Sequence, residues 1–193
     1  MRRPGRLRSW WKLQPGSNGY HLIESDHLAR HIEDEVTLWL AEGRGLAKST
    51  FNGFQTYDEA RVLREIELPE RVLRLWAADC AEHVLSAYEE LRPNDDRPRR
   101  AINAARDLAL GKIEYSEARA IGWESGNASL EDWDSENTDP ECVASSVAAA
   151  AECAVVWNPA GNAAQAAARE ARSGAPGTVE LTWQSRKFLE YVY

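Results

Sequence analysis

Two helix signatures joined by a turn, at residues 68–111, constrain the fold of this chain more than any other stretch. Pro69 suits a first helical turn, where its missing N–H costs nothing. Apolar residues then recur with helical spacing at Val72, Leu75, Trp76, Cys80, Val84, Ala87, Tyr88 and Leu91. This spacing predicts one buried helical face. Pro93 disfavours continuation, a side chain among residues 94–96 can cap a second helix, and Gly111 is expected to end that helix.

Charged residues interrupt the apolar faces of this helix pair. Asp79 and His83 lie four positions apart on the packed side of the first helix, and Arg99 and Arg106 flank the facing stripe of the second. Because buried charges need partners, we interpret the four as a structural polar cluster in which Asp79 pairs with Arg106 or Arg99. The alternative is an Asp–His acid/base pair, although no nucleophile, metal-ligand set or oxyanion-type loop lies near it in sequence.

Three sequence segments carry a resemblance to a known family. They are DCAEHVL at 79–85, YEELRPNDDRPRRAINAAR at 88–106 and SEARA at 116–120. These segments look like the immunity proteins of bacterial polymorphic toxin systems, and WQSRKFLEYV at 183–192 is similar to the closing helix of that family. The resemblance covers about 68–193 and implies an all-α domain that acts on a toxin.

Composition limits the classes of protein that fit. No run of about 18 apolar residues exists, so the sequence predicts no membrane span. The basic start is followed by no apolar stretch of signal-peptide length, and we therefore expect a cytoplasmic protein. Cys80, Cys142 and Cys153 show no CxxC spacing, which favours reduced thiols. We expect no cofactor and no metal.

Charge is distributed unevenly along the chain. Residues 1–68 carry 10 basic and 10 acidic residues, whereas residues 69–193 carry 13 basic and 21 acidic, so the whole net charge of −8 belongs to the second part. This asymmetry suggests two pieces. An acidic domain can bind a basic protein, and the attraction speeds their association.

The first 67 residues differ in character from the rest. Residues 1–19 are predicted to form a basic flexible arm. Three histidines follow at His21, His27 and His31, and a helix predicted from Ser25 to Ala41 would place His27 and His31 on one side. A third ligand and the Glu of an HExxH motif are missing, which argues against a metal site.

The same segment resembles a second family. The order of His21, Asp26-His27, LARHI at 28–32, KSTF at 48–51 and TYDEA at 56–60 is similar to the start of the ribonuclease A-like toxin domain of contact-dependent growth inhibition proteins. The resemblance implies that His31 is a general acid/base and that His27 matches a second motif histidine. The chain departs from that family because Trp39 stands where a phosphate-holding arginine belongs and because the second half of the domain has no counterpart. We therefore interpret residues 20–67 as a truncated toxin-like α+β fragment, helix then strand then helix, with vestigial histidines.

The remaining sequence predicts further helices and one acidic loop. Helices are predicted at 115–128, 140–156, 161–173 and 179–193, the middle two rich in alanine. Residues 129–141 hold six acidic residues and no basic one around Trp133. We expect exposed charge at this loop and at the turn before the second helix to contact a partner. The predicted partner-binding residues are Asp95, Asp96, Glu131, Asp132, Trp133, Asp134 and Glu136.

The sequence thus predicts a mainly α fold, a C-terminal all-α helical bundle over 68–193 with a small N-terminal α+β appendage. The function that fits best is an immunity protein that binds and neutralises a cognate protein toxin without catalysis, contacts no membrane, and touches nucleic acid only through the N-terminal fragment. One alternative is a ribonuclease fragment with His31 as acid/base, restrained by the fused bundle. Another is a helical scaffold, which a large uncharged apolar patch would favour.

Overall fold

The computed structural model describes residues 11–12, 20–23, 25–32, 38–45, 48–49, 54–131, 139–156, 160–173 and 177–193. Within these ranges every β-strand precedes the first α-helix. The strands are β1 (Trp11–Lys12), β2 (Tyr20–Ile23), β3 (Leu38–Arg44), β4 (Lys48–Ser49), β5 (Phe54–Tyr57) and β6 (Glu59–Ile66), with a 3₁₀ helix at Ser25–His31. The α-helices are α1 (Glu70–Leu91), α2 (Arg97–Ala109), α3 (Tyr115–Glu131), α4 (Asp139–Val156), α5 (Ala160–Ser173) and α6 (Gly177–Val192). The predicted mainly α fold is confirmed.

The helix pair α1–α2 follows the sequence signals closely. Pro69 precedes the first residue of α1, and α1 ends just before Arg92-Pro93. After α2, Gly111 adopts a φ of +67°, a left-handed conformation that favours glycine and turns the chain towards α3. The apolar stripe of α1 is buried as predicted around Trp76, Cys80 and Val84. Burial raises the pKa of the Cys80 thiol well above its ordinary value, so Cys80 packs as a small protonated hydrophobe.

Alanine allows the central helices to pack closely. Ala148, Ala151 and Ala154 of α4 are fully buried, as are Ala167 and Ala168 of α5. The Ser125 hydroxyl of α3 donates a 2.9 Å hydrogen bond to the backbone carbonyl of Ala148, which requires the two helix backbones to lie close together. Small side chains make this approach possible, so the alanine-rich segments serve packing.

The last helix closes the bundle against the first. The Trp76 indole N–H donates a 2.9 Å hydrogen bond to the backbone carbonyl of Gln184. The rings of Trp76 and Phe188 meet edge to face with centroids 5.4 Å apart, a favoured aromatic arrangement. Both side chains are fully buried, so this aromatic pair belongs to the buried part of the α1–α6 contact.

The N-terminal part corrects two sequence predictions. The helix predicted from Ser25 to Ala41 is wrong at Leu38–Ala41, which belong to β3, and the final helix predicted within 20–67 is wrong, since β5 and β6 are strands. The order β1–β6–β3 forms one antiparallel sheet and β2–β5–β4 a second. The sequence EARVLREI of β6 has good helix formers, but pairing with β3 along its whole length and with β1 at its start overrides that local preference.

The 3₁₀ helix and β6 join this strand region to α6. The Ala29 amide donates a buried 2.9 Å hydrogen bond to the Ser185 hydroxyl, and the Arg64 guanidinium donates one of 3.1 Å to the carbonyl of Val192. The buried side chains of Ile32 and Ile66 belong to the same hydrophobic core as the bundle. The core is therefore continuous from the strands into the helices. None of the helices in the described ranges combines the length and apolarity that a membrane span needs.

Candidate functional site

The structure brings the turn before α2 and the C-terminal end of α3 to one end of the bundle. Helices α2 and α3 are joined by the short connection 110–114 and run antiparallel, since Arg100 of α2 pairs with Glu124 of α3 at 2.7 Å. The start of α2, with Asp95 and Asp96 before it, therefore lies at the same end as the C-terminus of α3. We use the name acidic end for Asp96 and the acidic sequence 129–141, which starts in the last turn of α3 and ends in the first turn of α4; residues 132–138 of that sequence lie outside the described residues.

Basic side chains near the start of α2 are already paired with acids. Arg99 contacts Glu89 at 2.5 Å, Arg97 contacts Asp95 at 2.6 Å, and Arg100 lies 3.9 Å from Asp96 as well as against Glu124. Local charge in this part is thus balanced. In sequence, residues 129–141 hold six acids and no base.

Asp95 is a structural residue rather than the exposed charge that the sequence predicted. Its side chain is only 18 % exposed. The Tyr88 hydroxyl donates a 2.6 Å hydrogen bond to one carboxylate oxygen, and the backbone N–H of Arg97 donates one of 3.1 Å to the other. The hydrogen bonds from the Arg97 side chain hold the pKa of Asp95 well below its usual range, with a further contribution from Tyr88. The carboxylate therefore stays ionised and ties the turn to α1.

Of the other six predicted contact residues, the structure describes the side chain of one, Asp96, and does not describe the side chains of the remaining five. Asp96 is exposed and occupies the cap position before α2, without a side-chain cap hydrogen bond. Glu131 is the last residue of α3. The side chain of Glu131 and the whole of Asp132, Trp133, Asp134 and Glu136 lie outside the described residues, and their contact role stays a prediction.

The four residues of the predicted polar cluster take part in three separate sets of contacts. Asp79 contacts Arg106, Arg99 contacts Glu89, and His83 contacts α6. Arg106 donates a 2.8 Å hydrogen bond to Asp79 and others to Glu82, which fixes α2 against α1. Arg99 pairs with Glu89 one turn from the end of α1. The hydrogen bond from Arg106 lowers the pKa of Glu82, and the same contact raises the pKa of Arg106. Of the two partners considered for Asp79, the structure brings Arg106 to it.

His83 has partners of its own on α6. Its ring stacks on Trp183 with centroids 3.7 Å apart, and its Nε2 lies 3.3 Å from a carboxylate oxygen of Glu180. Burial raises the pKa of the Glu180 carboxyl, which the charge of His83 and a 2.9 Å hydrogen bond from Gln184 partly oppose. His83 and Asp79 thus work in separate contacts, which leaves no support for the alternative of an Asp–His acid/base pair.

Sequence reasoning missed the residues that α6 contributes. The Tyr191 hydroxyl donates a 2.6 Å hydrogen bond to Asp79, and the Lys187 ammonium lies 3.7 Å from the same carboxylate. More than one hundred positions separate Tyr191 from Asp79, so no local spacing signal could have joined them. The one available hint was an acid on a predicted core face, for which we considered only arginines of α2 as partners.

The predicted catalytic histidines lie on a short helix near α6. His27 and His31 belong to the 3₁₀ helix Ser25–His31, and their side chains are not among those described. A catalytic role for either stays a prediction. Across the described side chains, no group of three His, Cys, Asp or Glu residues is arranged to hold a metal ion.

Comparison with known proteins gave one match. The model of a family described as "Imm-5 like putative immunity protein" matches residues 66–187, from the end of β6 to within α6. No curated protein and no solved structure matched the chain. The resemblance of residues 20–67 to ribonuclease A-like toxins therefore rests on the sequence alone.

Proposed function

The chain belongs to the Imm-5 like family of immunity proteins, and on this premise we propose that it neutralises a cognate bacterial toxin by binding it. The family match covers all of α1 to α5 and most of α6, which is the helical bundle itself. Binding alone would block the toxin, without any chemistry by this chain. The surface that we assign to the contact is the acidic end.

The observation that supports this assignment is the unbalanced negative charge of the sequence 129–141, which starts in the last turn of α3. In the antiparallel α2–α3 pair, in which Arg100 contacts Glu124, Asp96 and the C-terminal end of α3 lie at one end of the bundle. Residues 129–141 hold six acids and no base. A field of one sign attracts a partner of opposite charge and raises the association rate. The proposed toxin therefore presents a basic surface.

Growth rescue tests the proposal. Bacteria that express the toxin encoded beside this gene are given the full chain, or the chain with Asp132→Asn, Asp134→Asn and Glu136→Gln. A matched control carries Asp107→Asn, Glu114→Gln and Glu117→Gln, which removes the same charge at the opposite end of α2 and α3. We expect the wild type and the control to rescue growth and the acidic-end variant to rescue it poorly.

Two results would contradict the proposal, one by rejecting neutralisation and the other by rejecting the contact surface. Absence of rescue by the folded wild-type chain would reject neutralisation of that toxin. Equal rescue by both triple variants would keep neutralisation but reject the acidic end as the contact surface. Far-UV circular dichroism of the purified variants checks that each keeps its helices, so loss of rescue can be assigned to the surface.

A further inference from the structure

The carboxylate of Glu152 on α4 lies against the backbone of Gly126 on α3. A Cβ atom at position 126 would lie 2.4 Å from both Cδ and Oε2 of Glu152, and 2.6 Å from Oε1. Atoms that are not bonded do not approach so closely, so any other residue at position 126 would displace the carboxylate. The missing side chain of Gly126 thus provides the space that the carboxylate occupies, and we call this space the notch.

Folding alone does not favour either residue of the notch. Glycine inside a helix is less favourable than alanine, because it loses more conformational freedom when the chain folds. A partly buried carboxylate is unfavourable unless a cation or a hydrogen-bond donor replaces the water that it loses. Gly126 and Glu152 combine both disadvantages at one place, which indicates a role for the notch outside folding.

The surrounding sequence offers Glu152 no cation. Between Arg119 and Arg169 there is no lysine or arginine, and this stretch includes most of α3 and all of α4. Partial burial raises the pKa of the Glu152 carboxyl, and within the described residues no base or hydrogen-bond donor lowers it again. The carboxylate is therefore left to be neutralised by a group from outside the described part of the chain.

The notch is accessible and lies near the surface assigned to the toxin contact. Glu152 is only partly buried, so an incoming group can reach its carboxylate. Gly126 precedes Glu131, the last residue of α3, by five positions, which is roughly 8 Å along the helix axis. A protein that covers the acidic end can therefore extend to the notch.

We propose that the notch binds one lysine or arginine side chain of the toxin, with Glu152 as the counter-ion. This inference rests on the proposed function and adds one specific contact to it. Close charge pairs across an interface can add to affinity as well as to the association rate. A metal ion fits the notch less well, because it needs several ligands and the described side chains hold no group of three His, Cys, Asp or Glu residues arranged for one.

Two substitutions test the notch by different changes. Glu152→Gln removes the charge and keeps the shape, whereas Gly126→Ala keeps the charge and displaces the flexible end of the Glu152 side chain. Biolayer interferometry measures binding of each full-length variant to the immobilised toxin encoded beside this gene. We expect both variants to bind about tenfold more weakly than the wild type.

The matched control is Glu117→Gln, which removes an exposed charge in the first turn of α3. An exposed charge far from the contact should alter the affinity by less than about twofold. Weakening by Glu117→Gln as large as that by Glu152→Gln would show that overall charge, and not the notch, determines the affinity. That result would overturn the proposal.

Thermal unfolding of the free proteins separates a binding role from a structural one. We expect Glu152→Gln to be at least as stable as the wild type near neutral pH, so its weaker binding would not result from a damaged fold. A Glu152→Gln variant that is less stable than the wild type would show that the chain itself supplies a partner for the carboxylate. The notch would then be occupied in the free protein, and the proposal would be overturned.

The remaining outcomes distinguish the notch from the proposed function. Wild-type affinity of Glu152→Gln or of Gly126→Ala would overturn the notch and leave the proposed function standing. Absence of binding by the folded wild-type chain would reject the proposed function and the notch with it.

Discussion

Tyr191, near the end of the chain, donates a 2.6 Å hydrogen bond to Asp79 in the middle of α1. Arg106 of α2 donates a 2.8 Å hydrogen bond to the other oxygen of the same carboxylate. One partly buried aspartate thus links the first, second and last helices. Burial and the hydrogen bond to Asp79 raise the pKa of the Tyr191 phenol, so Tyr191 remains a donor throughout the neutral range.

Replacing Asp79 should destabilise the bundle. The Asp79 side chain is 15 % exposed, and Asp79→Asn removes the charge that Arg106 and Lys187 face. We expect the free energy of unfolding to fall by about 1–3 kcal/mol, the usual cost of breaking a partly buried charged hydrogen bond. Urea denaturation measures the change.

The matched control for Asp79 is Asp107→Asn on α2. Asp107 pairs with Lys112 at 2.8 Å, but the two side chains are 40 % and 60 % exposed. An exposed pair contributes little, so its loss should change the free energy of unfolding by at most about 0.5 kcal/mol. Equal losses in the two variants would show that Asp79 is not the link between three helices.

Asp95 should make stability depend on pH in the acid range. Its folded pKa lies below the unfolded value of about 3.9 because the Arg97 side chain binds the ionised form. The stabilisation is therefore present above about pH 4 and is lost as pH falls towards the folded pKa. Asp95→Asn should lose about 1–2 kcal/mol near neutral pH, and the difference from wild type should shrink progressively below about pH 4. Urea titrations across that range would contradict this account if the difference stayed constant.

Glu152 of α4 should affect the pH dependence of stability in the opposite direction to Asp95. Partial burial raises the pKa of its carboxyl, so ionisation is less favourable in the folded state than in the unfolded chain. Wild-type stability then declines as pH rises from the unfolded value of about 4.3 to the folded one. Glu152→Gln carries no charge and should be more stable than the wild type near neutral pH, with the gain vanishing in acid.

Glu124→Gln is the matched control for Glu152. Glu124 is half exposed and forms an ion pair with Arg100, so its neutralisation should give no gain in stability. Thermal unfolding at several pH values compares the two variants. A Glu152→Gln protein less stable than wild type at neutral pH would mean that the ionised carboxylate is stabilised in the fold.

The helical part of the fold could be predicted because its signals are local. Pro69, Pro93 and Gly111 mark helix ends through the conformations that their own backbones allow, and the apolar spacing of α1 defines its buried face. The N-terminal part could not be predicted in this way. The strand β6 takes its hydrogen-bond partners from β3, and such pairing between distant segments leaves a weak trace in either sequence.

The candidate site was likewise predictable only in part. The acidic stretch of residues 129–141 is evident from composition, but the position of the C-terminal end of α3 beside the turn before α2 follows from the antiparallel packing of α2 and α3, in which Arg100 contacts Glu124. Asp95 was misread as an exposed charge because Tyr88, which lies seven residues earlier, reaches it only when α1 and the turn are folded.

The N-terminal histidines should not cleave RNA. Trp39, at the position where the resemblance calls for a phosphate-holding arginine, lies on β3 and is partly exposed. Without groups that stabilise the charge on the phosphorus in the transition state, a histidine contributes little. The purified full chain and its His31→Ala variant should both cleave a fluorescent RNA substrate no faster than the background rate without protein. Cleavage by the wild type that His31→Ala abolishes would instead support the ribonuclease alternative.

The most direct test of neutralisation by contact is the salt dependence of toxin binding. Isothermal titration of the purified toxin encoded beside this gene with the full chain should give saturable binding. The affinity should fall clearly between about 0.05 M and about 0.5 M NaCl, because salt screens the attraction between an acidic surface and a basic partner. Absence of binding between two folded proteins at low salt, or an affinity that salt leaves unchanged, would contradict the account.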